Sequence, residues 1–404
     1  MRVITREIDA PVSLVPLLDP TRPLLFMRRG EGVAGFGEAL RLEFSGPDRL
    51  REAADAWRRI AADAEIDDAV GLSGSGLIAF GAFTFAAESA RSSVLIVPRV
   101  VVGRRDGVGW ITRVRLDDGT DADDRVASTP LGPEYRIPLR AGAVDADRYL
   151  AIVAEAVQRI HAGRVGKVVL ARDLVGRLPE GADLRRVIGD LALGYPDTWT
   201  FAVDGLVGSS PETLVRVNHG TVTARVLAGS AARGVDAASD HAAALGLATS
   251  TKDLDEHRFA VESVLAALDR HARGVVSSEI PFALKLPNLW HLASDVEGAL
   301  ADGSSVLDLA AALHPTAAVA GFPTEAAVAT IAELEGIDRR RYGGPVGWVD
   351  AAGNGKWAIA LRSAEVDAGT VTAYAGAGIV AESDPERELA ETRLKFRPIV
   401  EAFA

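Results

Sequence analysis

Residues 356–395, KWAIALRSAEVDAGTVTAYAGAGIVAESDPERELAETRLK, indicate the fold class of this chain. Two apolar segments flank the DAG turn at 367–369, as the strands of a β-hairpin do. A helix then begins, with Ser383 or Asp384 as its N-cap and Pro385 in its first turn, where proline is tolerated. Strands that follow one another before a helix favour an α+β fold over a regular series of βαβ units.

Two further strand signals and two helices lie before this stretch. Residues 167–175, KVVLARDLV, predict a strand, and residues 351–355, AAGNG, predict the turn of a second hairpin. A helix is predicted from Asp145, with apolar residues at Leu150, Val153, Ala154, Val157 and Ile160. Another is predicted over 250–269, capped by Ser250 or Thr251, with a buried stripe of Val261, Val264, Leu265 and Leu268.

The N-terminal 140 residues contain apolar runs such as 77–85 and 93–102, which suit strands and hairpins. Residues 116–135 predict a long exposed loop. A domain boundary there is one interpretation, but the low polarity of the flanking sequence argues against two independent modules.

Composition limits the chemistry and the partners. The 404 residues are 48% hydrophobic, enough for a substantial core, and carry 44 basic against 56 acidic residues for a net charge of −12. Basic residues are nowhere concentrated, so nucleic acid is not an expected partner. The absence of cysteine excludes disulfides, thiolate catalysis and iron–sulfur clusters. The first residues lack the apolar run of a signal peptide or membrane helix, so we expect a cytoplasmic protein without a membrane partner.

Three acidic residues are candidate metal ligands. Glu388 and Glu391 are three residues apart in the last predicted helix, so both carboxylates project from one face. Mg²⁺ would relieve their repulsion and leave positions for substrate oxygens. Glu256 lies at the edge of the apolar stripe of the 250–269 helix, close to His257, and could supply a third carboxylate. The alternatives are a solvated acidic face for the first two residues and a salt bridge to Lys252 for Glu256.

Lys167 and Glu212 are candidates for proton transfer. Lys167 opens an apolar strand, where burial and a neighbouring cation would both favour the neutral amine that a general base requires. The alternative is a lysine that extends to solvent from a strand end. Glu212, in GSSPETLV (208–215), is either a catalytic carboxyl or an exposed turn residue.

Several residues are candidates for holding an anionic ligand. The small-residue loop LAGSAARG (227–234) offers backbone N–H groups near Gly229 and Ser230. Strand alternation in KWAIALR places Trp357, Ile359 and Leu361 on one face and Ala358, Ala360 and Arg362 on the other. Arg362 could then grip a carboxylate in a bidentate manner, or face solvent from an edge strand.

Residues 376–381, GAGIVA, match a dinucleotide-binding fingerprint, but no second strand follows the final helix to complete a βαβ unit. We therefore interpret these glycines as positions where the backbone approaches a ligand closely.

The order of these motifs closely resembles that of the chorismate-utilising enzymes. The series KVVLAR, SPETLVRV, LAGSAARG, KDLDEHR, LPNLWHLAS, LHPTAAVAGFP, YGGPVGW, ALRSA, YAGAGIV and SDPERELAETRLK covers residues 140–403, and FGAFTFAAES (80–89) is similar to the family's N-terminal half. The family includes isochorismate synthase, salicylate synthase and the large subunits of anthranilate and aminodeoxychorismate synthases.

The resemblance implies a single large α+β domain over 1–404, with an antiparallel β-sandwich core wrapped by helices. Residues 1–140 would form the N-terminal part, and 141–404 would carry the active-site motifs. By motif position, Glu256 and Glu391 would hold Mg²⁺ as cofactor, with Glu388 beside them or acting through water. The substrate chorismate would be bound by Gly229, Ser230, His291, Ala318, Tyr342, Arg362, Gly376 and Lys395. Lys167 would activate water for attack at C2, and Glu212 would protonate the hydroxyl leaving C4.

Within the family, the chain is most similar to isochorismate synthase. Ala228 stands where aminodeoxychorismate synthase has its lysine nucleophile, and His314-Pro315-Thr316 replaces the phenylalanine-proline element of ammonia users and salicylate synthases. Ala317 replaces the usual proline of HPTPA, and Ala231-Ala232 stand where basic residues are common. Salicylate synthase and an ammonia-using synthase subunit remain alternatives, as does a binding module without activity. The resemblance leans to a monomer without an obligate protein partner, and leaves siderophore, salicylate-derived and menaquinone pathways open.

Overall fold

The computed structural model describes residues 1–116 and 126–404, and within these ranges the side chains of Lys252 and Glu256 lie outside the description. The predicted loop is irregular over 126–135, and its residues 117–125 lie outside the described part. No helix in that described part combines the length and the apolar content needed to cross a membrane.

The helices are α1 Arg49–Ala62, α2 Ala146–His161, α3 Leu184–Gly194, α4 Ala237–Thr249, α5 Thr251–Leu268, α6 Val306–Leu313, α7 Thr324–Glu335 and α8 Pro385–Phe403. The strands of the N-terminal part are β1 Arg2–Ile8, β2 Leu24–Arg28, β3 Glu31–Phe36, β4 Leu40–Phe44, β5 Glu65–Asp68, β6 Ile78–Ala82, β7 Ser93–Val97, β8 Val100–Arg105, β9 Val108–Arg115 and β10 Arg140–Ala141. The remaining strands are β11 Lys167–Arg177, β12 Trp199–Val203, β13 Leu206–Ser210, β14 Thr213–Asn218, β15 Thr221–Ala232, β16 Ala272–Ser277, β17 Phe282–Lys285, β18 Leu289–Leu300, β19 Gly321–Phe322, β20 Pro345–Asp350, β21 Gly355–Ile359, β22 Ser363–Asp367 and β23 Thr370–Ile379. The prediction of an α+β fold is confirmed.

Two large sheets combine strands from the beginning and the end of the chain. Among the described residues, the first has the order β10-β11-β23-β22-β13-β12-β2-β3-β8-β9-β1-β5, with β19 beside β11. The second has the order β16-β18-β15-β14-β21-β20-β6-β7-β4, with β17 beside β18. The pairs are antiparallel except for β1 and β5. Since both sheets need strands from each part of the sequence, neither sheet is complete without the N-terminal residues.

The sandwich core lies between the facing surfaces of the two sheets. One cluster joins Phe26 and Phe201 of the first sheet with Phe80 and Trp348 of the second. Full burial of each such side chain stabilises the fold by about 1.5–3 kcal/mol. Helices α3 and α8 cover the outer face of the first sheet, and α1, α5 and α6 cover the outer face of the second. A β-sandwich wrapped by helices is therefore the observed architecture.

The predicted hairpins and caps are confirmed. Strands β20 and β21 flank the AAGNG turn, and β22 and β23 flank Ala368 and Gly369, which have φ angles of 47° and 77°. Asp384 caps α8 by accepting a hydrogen bond from the Arg387 amide, and Ser250 caps α5. Strand β23 pairs antiparallel with β11, so the GAGIVA segment does not belong to a βαβ unit.

The apolar run 93–102 forms two strands, because Pro98 and Arg99 separate β7, in the second sheet, from β8, in the first. One prediction needs correction. The buried stripe of α2 is rotated by one residue from the predicted one, so that Ala154 is exposed. Its buried residues are Tyr149, Ile152, Val153 and Ala156. The predicted stripe did not include Tyr149. The buried Tyr149 hydroxyl donates a hydrogen bond to the Leu170 carbonyl oxygen at 3.2 Å.

Candidate active site

A cavity of about 510 Å³ opens beside the N-terminal turns of α5 and α8. All but two of the predicted site residues line it: Glu212, Gly229, Ser230, His291, Ala318, Tyr342, Arg362, Gly376, Glu388, Glu391 and Lys395. The two others are Lys167, which faces a neighbouring cavity, and Glu256, whose side chain lies outside the described residues. The fold thus brings together residues that are up to 183 positions apart, counted from Glu212 to Lys395 (395 − 212).

Arg362 lies in a bend between two strands, not within a strand as predicted. Strand β21 ends at Ile359, and Arg362 has a left-handed φ of 49°, which costs a non-glycine residue about 1–2 kcal/mol. Its carbonyl oxygen accepts a hydrogen bond from the Ser209 amide at 3.1 Å, which holds this bend. The side chain is buried in the cavity wall, so the alternative of a solvent-facing arginine is wrong. Burial lowers the pKa of Arg362, and the guanidinium is a poorly hydrated cation facing the cavity.

His291 of β18 holds this guanidinium. Its Nε2 atom lies 3.1 Å from the Arg362 guanidinium, and its Nδ1 atom lies 3.2 Å from the Gly229 carbonyl oxygen. Since a guanidinium only donates and a carbonyl only accepts, Nε2 accepts and the protonated Nδ1 donates. Burial, Arg362 and Lys395 hold the pKa of His291 well below its usual value. The imidazole is therefore neutral and acts as a fixed link between Arg362 and the β15 backbone.

Glu212 is a buried carboxyl between β13 and β14. Burial raises its pKa to about 8, although Arg362, Lys167, the Leu227 amide and Lys395 act in the opposite direction. The carboxyl therefore holds its proton at neutral pH, as a general acid must. The alternative of an exposed turn residue is wrong, since only 4% of Glu212 is exposed.

Lys395 of α8 and Tyr342 also line the cavity. The Lys395 amine donates a hydrogen bond to the Gly376 carbonyl oxygen at 2.9 Å and lies 2.6 Å from a Glu391 carboxylate oxygen. Tyr342 is buried and stacks on Tyr374 with 5.4 Å between ring centroids. Burial raises the pKa of Tyr342, so its hydroxyl keeps its proton and is a donor to a ligand.

The two predicted glycines of the site, Gly229 and Gly376, also stand where a side chain would have little room. Gly229 has a φ of 81° beside a bulge in β15, and a Cβ there would lie 3.2 Å from Asp253. A Cβ at Gly376 would lie 2.7 Å from the Leu170 carbonyl oxygen of β11. Gly376 therefore allows β23 to approach β11 closely, whereas the sequence predicted a close approach of the backbone to a ligand.

The predicted metal ligands differ in their surroundings. Glu388 is buried and accepts a hydrogen bond from the Ser383 hydroxyl at 2.7 Å, whereas Glu391 is half-buried and paired with Lys395. Among the side chains that the structure describes, no group of three acidic or histidine residues is close enough to hold a metal ion. Glu256 falls outside that set. The magnesium site therefore stays a prediction, and its chemistry fits a hard cation because Glu388 and Glu391 offer carboxylate oxygens at the cavity.

Lys167 begins β11 and is only 3% exposed, so it does not extend to solvent. It lines a second cavity of about 440 Å³, together with Phe259, Phe322 and Glu382. Glu382 also lines the first cavity, so the two spaces adjoin. The charge of Lys167 is one of the influences that lower the pKa of Glu212.

Sequence reasoning missed five charged residues that also line the first cavity: Asp253, Arg339, Glu382, Asp384 and Arg387. Asp253 lies one helical turn before Glu256, so helix periodicity could have identified it. Arg339 stands in the charged run 338–341, which reads as a solvated surface but is buried at Arg339 and Arg341.

Known proteins provide an independent comparison. Residues 20–404 match the model of a family described as chorismate binding enzyme. Isochorismate synthase DhbC from Bacillus subtilis is 40% identical over 263 residues, which are 62% of this chain and 66% of that protein. The chain thus spans slightly less than two thirds of that relative.

Two longer matches extend the comparison to most of the chain. Isochorismate synthase MenF from Bacillus subtilis is 30% identical over 383 residues, which are 88% of this chain and 81% of that protein. The solved structure of MenF, the menaquinone-specific isochorismate synthase from Escherichia coli, superposes with a TM-score of 0.81 at 23% identity. It covers 100% of this chain and 94% of that chain, and at this identity it shows the likeness of the fold.

Proposed function

The chain belongs to the chorismate-binding enzymes, and from that premise we propose that it is an isochorismate synthase. The observation that carries this proposal is the buried Glu212 carboxyl, whose pKa is raised by burial, in a cavity that is also lined by Arg362 and Lys395. Two cations suit a substrate with two carboxylates, and a protonated acid suits the departure of a hydroxyl group. The relatives named isochorismate synthase support the same choice.

In the proposed reaction, Lys167 accepts a proton from water as the oxygen forms a bond to C2 of chorismate. The ring double bonds shift, the bond from C4 to its hydroxyl oxygen breaks, and Glu212 supplies the proton that turns the leaving hydroxide into water. One water is consumed and one released, so the net change is an isomerisation. Lys167 ends protonated and Glu212 ends ionised, and exchange with solvent restores both.

The other residues would bind and orient the substrate. Arg362, held by His291, would grip one carboxylate in a bidentate manner, and Lys395 and Tyr342 would donate to the remaining oxygens. The β15 backbone near Gly229 and Ser230 and the backbone at Gly376 border the same space, as does Ala318.

Mg²⁺ would be held by Glu256, Glu388 and Glu391. When bound, it supplies the local positive charge that attracts the ring carboxylate of chorismate to the acidic side of the cavity. The oxygen-only donor set is the kind that Mg²⁺ prefers.

The purified chain with chorismate and Mg²⁺, without ammonia or glutamine, tests the proposal. We expect isochorismate as the only product, identified by chromatography against a standard. Accumulation of salicylate and pyruvate would instead assign a salicylate synthase, and turnover that requires ammonia would assign an amino-transferring synthase. Glu212→Gln is the control for background conversion.

We also propose that the chain acts in the cytoplasm as a monomer without an obligate protein partner. The resemblance of the sequence to the family is what supports this state. Light scattering during turnover would test this, and activity that appears only in a higher oligomer would contradict it.

A further inference from the structure

Four basic side chains lie at one end of the β-sandwich, away from the catalytic residues. Arg28 ends β2, Arg105 ends β8, Lys356 is in β21 and Arg216 is in β14. Strands β2 and β8 belong to one sheet, and β14 and β21 belong to the other. The four residues, here called the basic cluster, thus come from both layers of the sandwich.

Strand alternation shows that the basic cluster continues the core between the sheets. Leu24 and Phe26 precede Arg28 on the same face of β2, and both belong to the cluster between the sheets. Val101 stands in the same relation to Arg105, and Ala358 to Lys356. The apolar interior therefore ends in these three cations, and Arg216, the antiparallel partner of Lys356, lies on the same face of its sheet as Lys356.

These cations are close to one another. Arg216 and Lys356 are direct antiparallel partners, an arrangement that destabilises a sheet when both residues carry the same charge. The Arg28 guanidinium carbon lies 4.6 Å and the Lys356 amine 5.3 Å from the centre of the Trp199 ring. Burial, together with Arg105, Arg216 and Arg28, lowers the pKa of Lys356 to about 7, while Glu31 acts in the opposite direction.

Within the part of the chain that the structure describes, none of the four side chains forms an ion pair or a hydrogen bond. The Nε atom of Arg216 is buried and has no hydrogen-bond partner. Neighbouring acids are engaged elsewhere: Glu31 accepts from the Asp106 amide at 2.9 Å, Asp197 pairs with Arg29 at 2.6 Å, and Asp350 accepts from the Ala352 amide at 3.0 Å.

We propose that the basic cluster binds an oxyanion with at least two negative charges, either a phosphate group or a pair of carboxylates. Such an anion offsets the mutual repulsion of four partly buried cations, and its oxygens match the fixed donor geometry of three guanidinium groups. An oxygen of the anion would also accept a hydrogen bond from the buried Nε of Arg216. Because the chain as a whole carries a net charge of −12, it repels anions elsewhere, and this local excess of positive charge is specific for such a ligand.

The basic cluster has a structural connection to the proposed active site. Strand β21 carries Lys356 and is followed by Arg362, and β14 carries Arg216 and is preceded by Glu212. Trp199, whose ring contacts Arg28 and Lys356, donates a hydrogen bond to the Thr213 hydroxyl at 2.8 Å, beside Glu212. Binding of an oxyanion at the basic cluster does not require the proposed activity.

Thermal unfolding of the full chain, at constant ionic strength set with chloride, tests the proposal. We expect inorganic phosphate, malonate or both to raise the Tm in a saturable manner, and the two titrations distinguish the phosphate source from the carboxylate source. Arg216→Gln and Lys356→Met should each raise the half-saturating concentration by roughly 10-fold or more, because each removes a charge-assisted contact. Arg115→Gln, an exposed arginine at the end of β9, is the matched control and should respond like the wild type.

Two further measurements distinguish binding at the basic cluster from a general effect on stability and from binding at the proposed active site. Without added oxyanion, Lys356→Met should have a Tm at least as high as the wild type, since it removes one of four repelling cations. The response to oxyanion should persist in Lys395→Gln, which separates the basic cluster from the proposed active site. No saturable shift with either anion, or an equal shift in the wild type, Arg216→Gln and Lys356→Met, would overturn the proposal. The four side chains would then only extend toward water from the end of the core.

Discussion

The Nε2 atom of His291 accepts a hydrogen bond from the Arg362 guanidinium at 3.1 Å, while the opposite ring nitrogen donates to the Gly229 carbonyl oxygen. The neutral imidazole thereby links β18, the bend after β21 and the β15 bulge. Ser209 holds the backbone of the bend and His291 accepts from the Arg362 side chain, so His291 acts as a positioning residue for the guanidinium.

Replacing His291 tests this relationship. His291→Ala removes the acceptor for the Arg362 guanidinium, and a hydrogen bond to a charged group contributes about 1.5–3 kcal/mol. We therefore expect kcat/KM for chorismate to fall roughly 10- to 150-fold, mainly through KM. His291→Gln keeps an acceptor oxygen and should lose less activity. Equal losses in both variants would mean that the ring acts only through its volume.

Glu212 should determine the alkaline limit of activity. Its raised pKa, about 8, means that the carboxyl is protonated below that pH and ionised above it. We expect kcat to fall as the pH rises through about 8. In Glu212→Gln, kcat should be roughly 100- to 10,000-fold lower, and the fall near this pH should be absent from the residual rate. An unchanged alkaline limb in this variant would assign the pKa to another group.

The same carboxyl should influence stability in the matching direction. A folded-state pKa above the unfolded value gives a stabilisation that is complete below the unfolded pKa and is lost as the pH rises through the folded pKa. Glu212 therefore costs stability increasingly as the pH rises from 4.5 to about 8, and Glu212→Gln should unfold at a higher temperature than the wild type at pH 9, with little difference at pH 4. A parallel pair of Tm curves would contradict this.

Lys167 is predicted to be the base. Lys167→Ala should abolish turnover while chorismate binding, measured by calorimetry, stays detectable, because the amine acts on water and not as a main anchor of the substrate. A near-normal rate in Lys167→Ala would rule out the base assignment.

Removal of metal should abolish activity. Excess chelator is expected to reduce turnover to background, and added Mg²⁺ should restore it. Glu256→Ala should lose the Mg²⁺-dependent part of chorismate binding, and Glu391→Gln should raise the half-saturating Mg²⁺ concentration. Full activity in excess chelator would exclude the metal site.

The buried pair of Glu335 and Arg339 should support the cavity wall. The Glu335 carboxylate accepts from the Ala171 amide at 2.6 Å, and Arg339 donates to the Val319 and Val169 carbonyl oxygens at 3.0 and 2.6 Å. Arg339→Met leaves a buried carboxylate without its partner and should lower the free energy of unfolding by about 3–5 kcal/mol. The double variant with Glu335→Leu should be less destabilised than Arg339→Met in denaturant unfolding. Strict additivity would show that the pair does not act as a unit.

Local signals in the sequence predicted much of the fold. The hairpins around Ala368 and Gly369, the cap at Asp384 and the cap at Ser250 depend on neighbouring residues, and the structure has all of them. The split of the run 93–102 between two sheets depends on what each half packs against, and alternation along the chain contains no such information.

For the candidate site, motif order indicated which residues would converge, but not their surroundings. Glu212 read equally well as an exposed turn residue, and its raised pKa exists only because strands distant in sequence bury it. Lys167 was predicted to act as the base beside the substrate, and it lines the adjoining cavity. Its pairing with Phe322 of β19 places both residues at that cavity.

Composition, turn residues and motif order by themselves determined the fold class, the family resemblance and the residue types of the candidate site. Only the tertiary structure decided that Arg362 stands in a strained bend against a neutral His291, that Glu212 keeps its proton and that four cations meet at the end of the sandwich. The reason is physical: periodicity and capping act over a few neighbouring residues, whereas desolvation and the repulsion of like charges depend on distances that exist only after both sheets have packed.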